Sequence, residues 1–370
     1  MKIFVAGDYY PRNRVEELVE KEDYAAVFDE VRPLIKQADY SIVNFECSVV
    51  LGKAKPIEKS GPNLSCSERG VYALNYAGFK CVTLANNHFR DFGDAGVQDT
   101  ITSLTSNKLD YVGGGMNLKE ASQILYKKVA DKTLAIINCC EHEFSIATEH
   151  SAGSNPLNPI HQYQAIVEAK KEADYVLVIV HGGHEHFQYP SLRMVDTYRF
   201  FIDAGADAVV NHHQHCFSGY EVYKGKPIFY GLGNFCFDNS KQHSGKWVEG
   251  YAVTIDFSID KVSFSIHPLE QCANEAKVSL LPNDAFNNRF NEINETIVNR
   301  QELNKVIDQY YATSSLSLSW LFEPIRTRFY YIMQYRGWLP SLISKKRKLD
   351  LANHILTESY FEKLEWWLEH

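Results

Sequence analysis

The stretch YVLVIVHGGHE, residues 175–185, joins an unbroken apolar run to a cluster of histidine and glutamate side chains. An apolar run of this kind, rich in Val and Ile and without alternation, predicts a strand that is buried on both faces of a sheet. The polar residues begin where the predicted strand ends. Because ligands of open α/β sheets bind beyond the carboxyl ends of the strands, the stretch indicates an α/β fold with a site at one sheet edge.

Other segments on both sides of this stretch have the same character. The predicted strands are 2–6, 40–45, 81–84, 134–138, 175–180, 208–210, 227–230, 251–257 and 261–267, and the last two form a hairpin with its turn at 258–260. Helical spacing occurs at 23–38, 67–78, 94–107, 159–173 and 191–204. This alternation predicts an α/β domain with a mixed sheet or with two sheets.

Composition excludes several classes of protein. The chain has 370 residues, of which 45% are hydrophobic and 23% charged, as in ordinary globular proteins. A net charge of −8 argues against a nucleic-acid partner. We expect neither a membrane span nor a signal peptide, because no apolar run approaches the roughly 20 residues of a span and the N-terminus soon turns polar. Eight scattered cysteines favour a reducing compartment, so we expect a cytoplasmic protein.

Histidine and glycine are concentrated in the first part of the chain, where 12 of 14 histidines and 20 of 21 glycines precede residue 271. This predicts a site-bearing domain at 1–270 and a helical, aromatic-rich extension at 271–370. Aromatic residues alternate with arginine at 320–348, and the segment ends in a basic run. Two interpretations stay open for it, namely packing against the α/β domain or peripheral contact with the inner face of a membrane.

Residues with metal-binding chemistry directly follow the predicted strands. They are Asp8; Asn44 and Glu46; Asn86, Asn87 and His88; Glu141, His142 and Glu143; His181, His184 and Glu185; His212, His213 and His215; and Asn234. Three imidazoles within residues 212–215 have no packing rationale and favour a metal site. Taken singly, Asp8 could cap a helix, 86–88 could form a turn, and 141–143 could be a solvated loop.

The order of these motifs is specific. A GD after the first strand, NFE at 44–46, LANNHFRDFG at 84–93, HGGHE at 181–185, HHQH at 212–215 and YGLGNFCFD at 230–238 occur in turn. Over residues 1–270 this order resembles the CapA family of capsule and poly-γ-glutamate synthesis, in the calcineurin-like metallophosphoesterase superfamily. The resemblance implies a four-layer αββα sandwich that holds two divalent ions (Mn, Zn or Fe) at the strand ends.

The resemblance also implies roles for single residues. The first ion would bind Asp8 and His215, the second would bind Asn87, His181 and His213, and Glu46 would bridge the two. His88 would be the acid beside the leaving group, and Asp91 would orient it.

One position departs from the superfamily pattern. Its first motif continues GD-x-H, but here the matching residue is Tyr10. A neutral phenol is a poor ligand, so we expect the first site to bind its ion more weakly and to be partly occupied. Tyr10 is then expected to line the pocket or to bond a phosphate oxygen.

The resemblance and the ligand chemistry together predict a phosphatase or phosphodiesterase that acts on a phosphorylated sugar or glycan intermediate. Two alternatives stay open: an accessory subunit of a polymer-synthesis complex, and metal-assisted hydrolysis of an amide or γ-glutamyl bond. The sequence leaves the oligomeric state open. Candidate substrate contacts are Lys59, Arg90, Tyr10, Glu141, Glu143, Glu185 and Asn234. For Lys59 and Arg90, plain surface charge is an equal interpretation.

Overall fold

The computed structural model describes residues 1–258, 261–314 and 344–369. Its strands are β1 (Lys2–Tyr10), β2 (Tyr40–Phe45), β3 (Ser48–Val49), β4 (Ser65–Cys66), β5 (Cys81–Thr83), β6 (Asp110–Val112), β7 (Gly114–Gly115), β8 (Leu125–Val129), β9 (Lys132–Cys140), β10 (Gly153–Ser154), β11 (Tyr175–His181), β12 (Ala208–His212), β13 (Tyr220–Tyr223), β14 (Lys226–Phe229), β15 (Asn234–Phe237), β16 (Glu249–Phe257), β17 (Val262–Gln271) and β18 (Val278–Leu280).

The helices are α1 (Arg14–Glu20), α2 (Tyr24–Phe28), α3 (Arg32–Lys36), α4 (Arg69–Ala77), α5 (Gly93–Ser106), α6 (Leu118–Ala121), α7 (Pro159–Glu172), α8 (Leu192–Ala204), α9 (Asn283–Val298), α10 (Arg300–Ser314), α11 (Lys345–Leu356) and α12 (Glu358–Glu369).

Two large sheets form the centre of the molecule. The first has the order β18-β17-β16-β1-β2-β5-β6, and β15 also pairs with β1. The second has the order β13-β14-β12-β11-β9-β8. Strands β1, β2, β5 and β6 run parallel in the first sheet, as do β9, β11, β12 and β14 in the second. Their carboxyl ends therefore lie along one edge of each sheet.

Alternate residues of β1 show how the layers stack. Ile3 and Val5 share an apolar core with β9, β11 and β12, whereas Phe4 and Ala6 share a second core with helices α1 to α5. This is the two-residue period of a strand with two buried faces. Helices α7 and α8 contact β9, β11 and β12 of the second sheet. The order of layers is helix, sheet, sheet, helix, which confirms the predicted αββα sandwich.

Some element boundaries differ from the predictions. The helical pattern at 23–38 forms two short helices, because Pro33 lies in the first turn of α3, where proline favours the start of a new helix. The hairpin at β16 and β17 is present in antiparallel register, but residues 259–260 of its predicted turn lie outside the described residues. The first sheet continues to Leu280 in β18, ten residues past the predicted domain boundary, and the division into two domains stays a prediction.

The last helices pack on the α/β layers. Phe286 and Phe290 of α9 contact the ring of Phe217, at centroid distances of 4.7 and 6.2 Å. Within the described ranges, no helix combines the length and the apolar character that a membrane span requires. The predicted membrane contact at 320–348 falls mostly outside those ranges, since the structure describes this segment only from residue 344 onward.

Candidate metal centre

The strand ends of both sheets bring the predicted ligands to one place. Asp8 lies in β1 and Glu46 directly follows β2, while Asn87 follows β5. His181 ends β11 in the second sheet, and His213 directly follows β12. All five residues are buried. The cluster therefore forms where the carboxyl ends of parallel strands from two sheets meet.

Gly7 allows the first strand to reach this cluster. The backbone N–H of Asp8 donates to the carbonyl of Gly233 at 3.2 Å, next to the start of β15. A Cβ atom on Gly7 would stand 1.8 Å from that carbonyl oxygen, so no other residue fits without moving the backbone. The GD motif thus owes its glycine to the close approach of β1 and β15.

One group of ligand atoms consists of Asp8, Glu46 and His215, which lie within 4.8 Å of one another. Nδ1 of His215 is 3.6 Å from Oδ2 of Asp8, and its Nε2 is 3.6 Å from Oε1 of Glu46. These are the residues predicted for the first ion.

A second group consists of Glu46, His181 and His213. Nε2 of His181 lies 3.7 Å from Oε1 of Glu46, 3.0 Å from Nδ1 of His213 and 3.1 Å from Oδ1 of Asn87. The four residues are those predicted for the second ion and its bridge. Glu46 belongs to both groups, so a single carboxylate oxygen faces imidazoles from two sides.

The donor set fits two divalent ions. Oε1 of Glu46 is buried and has no hydrogen-bond partner among the described residues, an arrangement that is costly for a carboxylate without a cation. Burial and then the Asp8 carboxylate raise the pKa of Glu46 well above its usual range. Carboxylate, imidazole and amide donors are the ligands that Mn, Zn and Fe accept.

The chain is strained where the two histidines turn toward the site. His213 has φ of 95° and His215 has φ of 56°, in the left-handed region that residues with a Cβ rarely adopt. Such strain concentrates at functional sites, where the surrounding structure holds it. The neighbouring His212 is not part of either ligand group, because its Nε2 bonds the Ala6 carbonyl at 3.0 Å.

Asn44 is a member of the site that the sequence prediction did not assign. Its Nδ2 lies 2.7 Å from Oδ1 of Asp8, 3.4 Å from Oε2 of Glu46 and 3.3 Å from Nδ1 of His181. It stands two residues before Glu46, so both side chains lie on the same face of the chain. That spacing in the NFE motif was the available signal.

His88 lies in a buried network with Asp91 and Lys59. Its Nδ1 is 2.6 Å from Oδ2 of Asp91, and that carboxylate also accepts the backbone N–H of Leu64 at 2.7 Å. Lys59 forms an ion pair with the other oxygen of Asp91, and its side chain is 1% exposed. Burial and then the Lys59 ammonium lower the pKa of His88 to about 4, away from the near-neutral value expected of a general acid.

The family assignment follows from a direct comparison. The family model described as "Bacterial capsule synthesis protein PGA_cap" matches residues 2–239, which span more than half of the chain and contain every residue of the two ligand groups. The chain belongs to this family. The match ends before β16, so β16 to β18 and helices α9 to α12 lie outside it.

Relatives within the family have related names. The "Capsule biosynthesis protein CapA" of Bacillus anthracis is 38% identical over 242 residues, which are 63% of this chain and 59% of that protein. The "PGA biosynthesis protein CapA" of Bacillus subtilis is 35% identical over 235 residues, 63% of this chain and 62% of that protein. A "Probable polyglutamine synthesis accessory protein" of Mycobacterium tuberculosis is 29% identical over 164 residues, 41% of this chain and 43% of that protein. The chain thus spans less than two thirds of the length of these relatives.

Solved structures show more distant similarity. A phosphatase of Mycoplasma pneumoniae is 16% identical with a TM-score of 0.48, over 73% of this chain and 93% of that chain. A putative 5'-nucleotidase of Staphylococcus aureus is 14% identical with a TM-score of 0.43, over 80% of this chain and 58% of that chain.

Three of the predicted substrate contacts of this PGA_cap chain have partners within the protein. Asn234 holds His215, since its Oδ1 lies 2.9 Å from Nδ1 of that histidine. Glu141 is buried and pairs with Arg193 at 2.6 Å. Arg90, which precedes α5, pairs with Asp94 in the first turn of that helix at 2.9 Å. Because each polar group is engaged within the protein, their predicted contact with substrate gains no support.

Tyr10 also lies in an apolar setting. Its ring packs edge-on against Phe237 at 5.1 Å, and Phe237 packs edge-on against His215 at 5.0 Å. Burial raises the pKa of Tyr10 far above its usual range, so the phenol stays neutral. Tyr10 therefore packs against Phe237, which in turn packs against His215.

Glu143 and Glu185 are the predicted contacts that face the ligand cluster. Burial raises the pKa of Glu143 to about 7, while the His213 charge opposes this effect and the Glu185 charge adds to it. Despite its burial, Glu185 has a lowered pKa because of the His213 and His215 charges. Both glutamates retain some exposure to solvent.

Proposed function

We propose that this chain is a metal-dependent hydrolase of capsule or exopolymer synthesis that cleaves a phosphoester of a sugar or glycan intermediate. The observation that carries the proposal is the sharing of the buried Glu46 carboxylate by two groups of ligand atoms. This is the donor arrangement that a two-ion site requires. The names of the CapA relatives supply the biological setting, and the substrate is our inference.

The residues of the site have two proposed roles, as metal ligands and as a group that transfers a proton. Two bound divalent ions would activate a water molecule and neutralise charge on the oxygens of the transferred group. Asp8 and His215 would hold one ion, and His181 and His213 would hold the other beside Glu46. These side chains are buried at the ends of rigid strands, so they would need little rearrangement to bind.

His88 would exchange a proton with the leaving oxygen. Its Nδ1 is engaged by Asp91, which fixes the ring and leaves Nε2 to carry the proton. The lowered pKa means that the imidazole is neutral before reaction, so it must take up a proton before it can donate one. Asp91 is a positioning residue, because it acts through His88.

The test is a substrate panel with the full chain loaded with Mn²⁺ or Zn²⁺. We expect hydrolysis of p-nitrophenyl phosphate or bis-p-nitrophenyl phosphate, which also separates monoesters from diesters. His88→Ala should keep its bound metal and lower turnover by about 10²- to 10⁴-fold. Loss of metal together with activity would contradict the assigned role.

A second candidate function is hydrolysis of a γ-glutamyl amide bond. The names of the relatives favour it, since one is a PGA biosynthesis protein and another a polyglutamine synthesis accessory protein. The same activated water can attack a carbonyl carbon. γ-Glutamyl-p-nitroanilide belongs in the same panel, and cleavage of this compound without cleavage of phosphoesters would replace the first proposal. If no metal supports any hydrolysis, the accessory-subunit alternative becomes the better account.

A further inference from the structure

Helix α12 is bonded to the segment that follows β9. The carboxylate of Glu358 accepts the backbone N–H of His142 at 2.7 Å and lies 2.6 Å from its Nδ1. The hydroxyl of Thr357 donates to the His142 carbonyl at 3.0 Å, and the backbone N–H of Ser359 donates to Oε2 of Glu141 at 3.2 Å. These bonds place the start of α12 beside the segment that carries Glu143.

Further contacts hold the two last helices around the site. Glu362 of α12 pairs with Arg193 of α8 at 2.9 Å. On α11, Asp350 bonds Ser60 and Lys345 pairs with Glu58, on either side of Lys59. Helices α11 and α12 thus contact the segments on two sides of the ligand cluster, although the family match ends at residue 239.

Lys363 is a buried cation on this helix. It is 9% exposed, and no carboxylate of the described residues lies within 4 Å of its Nζ. Nζ donates to the Tyr310 hydroxyl at 3.2 Å and lies 4.8 Å from the Tyr310 ring centroid and 5.6 Å from that of Tyr360. An ammonium has three hydrogens to donate, and burial without a counter-ion is costly.

The charges around Lys363 connect it to the ligand cluster. Burial lowers its pKa to about 8, and the charge of Glu185 opposes that effect. Glu185 in turn feels the charges of His213 and His215. Burial and then the Glu185 and Glu143 charges raise the pKa of Tyr360. The geometry agrees with these charge effects, because the Tyr310 ring that contacts Lys363 lies 5.4 Å from the ring of His184, the residue before Glu185.

We propose that α12 and α10 form an oxyanion subsite beside the metal centre, in which Lys363, flanked by Tyr310 and Tyr360, binds a carboxylate or phosphate of the substrate away from the bond that is cleaved. Because the charge of Lys363 is positive and has no counter-ion among the residues that the structure describes, the ligand that it binds should be negative. This deepens the proposed function, because such a group is present in a phosphorylated glycan and in a γ-glutamyl chain. The extension outside the family match would then determine substrate choice.

The test is calorimetric titration of the full chain, treated with a chelator, with inorganic phosphate and separately with a γ-linked glutamate trimer. We expect Lys363→Met to weaken binding of one probe by about ten- to a hundredfold, as for the loss of a charge-assisted hydrogen bond. The probe that responds identifies the oxyanion. Lys346→Met, an exposed lysine on α11, is the matched control and should bind both probes like the parent chain.

Lys363→Arg covers the case in which the methionine variant fails to fold. It keeps the charge at alkaline pH, so it should retain the probe at pH 9.5, where the parent chain loses it. If a folded Lys363→Met binds both probes like the parent chain, or if Lys363→Arg gains nothing at pH 9.5, the subsite is refuted. Because these measurements need no turnover, a failed substrate panel would refute the proposed function and leave this result standing.

Discussion

The buried pair of Lys59 and Asp91 gives a prediction whose size follows from the structure. The Lys59 side chain is 1% exposed and that of Asp91 is fully buried. Asp91→Asn removes the charge that neutralises Lys59, and loss of one partner of a buried ion pair costs about 3–5 kcal/mol. Lys59→Met leaves Asp91 with the N–H groups of Leu64 and His88, so we expect a smaller cost of about 1–3 kcal/mol.

The two substitutions should also be strongly coupled. In the double variant neither charge is left without its partner, so its cost should fall short of the sum of the single costs by about 1–3 kcal/mol. The assay is urea-induced unfolding, followed by tryptophan fluorescence in the presence of a chelator, with the free energy of unfolding extrapolated to water. Equal single costs that add within about 0.5 kcal/mol would refute the reasoning, because they would mean that the pair is solvated.

Three further predictions concern the metal centre and the subsite. Glu46→Gln should abolish the thermal stabilisation that Mn²⁺ or Zn²⁺ gives the parent chain, about 2.7 kcal/mol at a hundredfold excess over Kd, and an unchanged shift in a melting experiment would contradict its bridging role. His213→Ala should lose this stabilisation by metal, whereas His212→Ala should keep it, because His212 bonds the Ala6 carbonyl and not an ion. If metal titrations instead show loss of binding in His212→Ala and not in His213→Ala, the two assigned roles are exchanged. In calorimetry, affinity for the probe that responds to Lys363 should fall about tenfold between pH 7 and pH 9. The reason is that a pKa of about 8 leaves most of the lysine charged at pH 7 and most of it neutral at pH 9. An affinity that does not change with pH would exclude Lys363 as the binding cation. Glu185 and His184, whose pKa values are lowered, and Tyr310 and Tyr360, whose pKa values are raised, keep their charge state across that range. Glu143 and Glu362 have pKa values of about 7 and ionise at its lower end, so the same profile of Lys363→Met separates the lysine from these two carboxylates.

Much of the fold could be predicted from local patterns of apolar residues. Segments 40–45 and 175–180 were recognisable as strands because apolar β-branched and aromatic residues occur without interruption, and the structure has strands there. The order of the strands could not be obtained in this way. β15 pairs with β1 across more than 200 residues of chain, and no periodicity encodes that contact.

The residues of the ligand cluster could also be predicted from the sequence. Parallel strands bring their carboxyl ends to one edge, so polar residues at those ends are expected to meet even when their partners are unknown. His181 and His213 meet in this way, with 3.0 Å between ring nitrogens. Their role as ligands stays a prediction. Asn44 was visible in the NFE motif, two residues before Glu46, but its role was missed because only the tertiary structure shows that its amide contacts Asp8, Glu46 and His181.

The sequence by itself determined which residues form strands and which polar residues follow them, since both depend on neighbours in the chain. Only the tertiary structure decided what each polar group contacts. Arg90 and Glu141 stand among the site motifs but pair with Asp94 and Arg193. Lys363 lies far outside the motifs, yet it bonds Tyr310, whose ring is 5.4 Å from that of His184. The physical reason is that hydrogen bonds and charge interactions depend on distance in space, and the contact of α12 with the segment that follows β9 joins residues more than 200 positions apart.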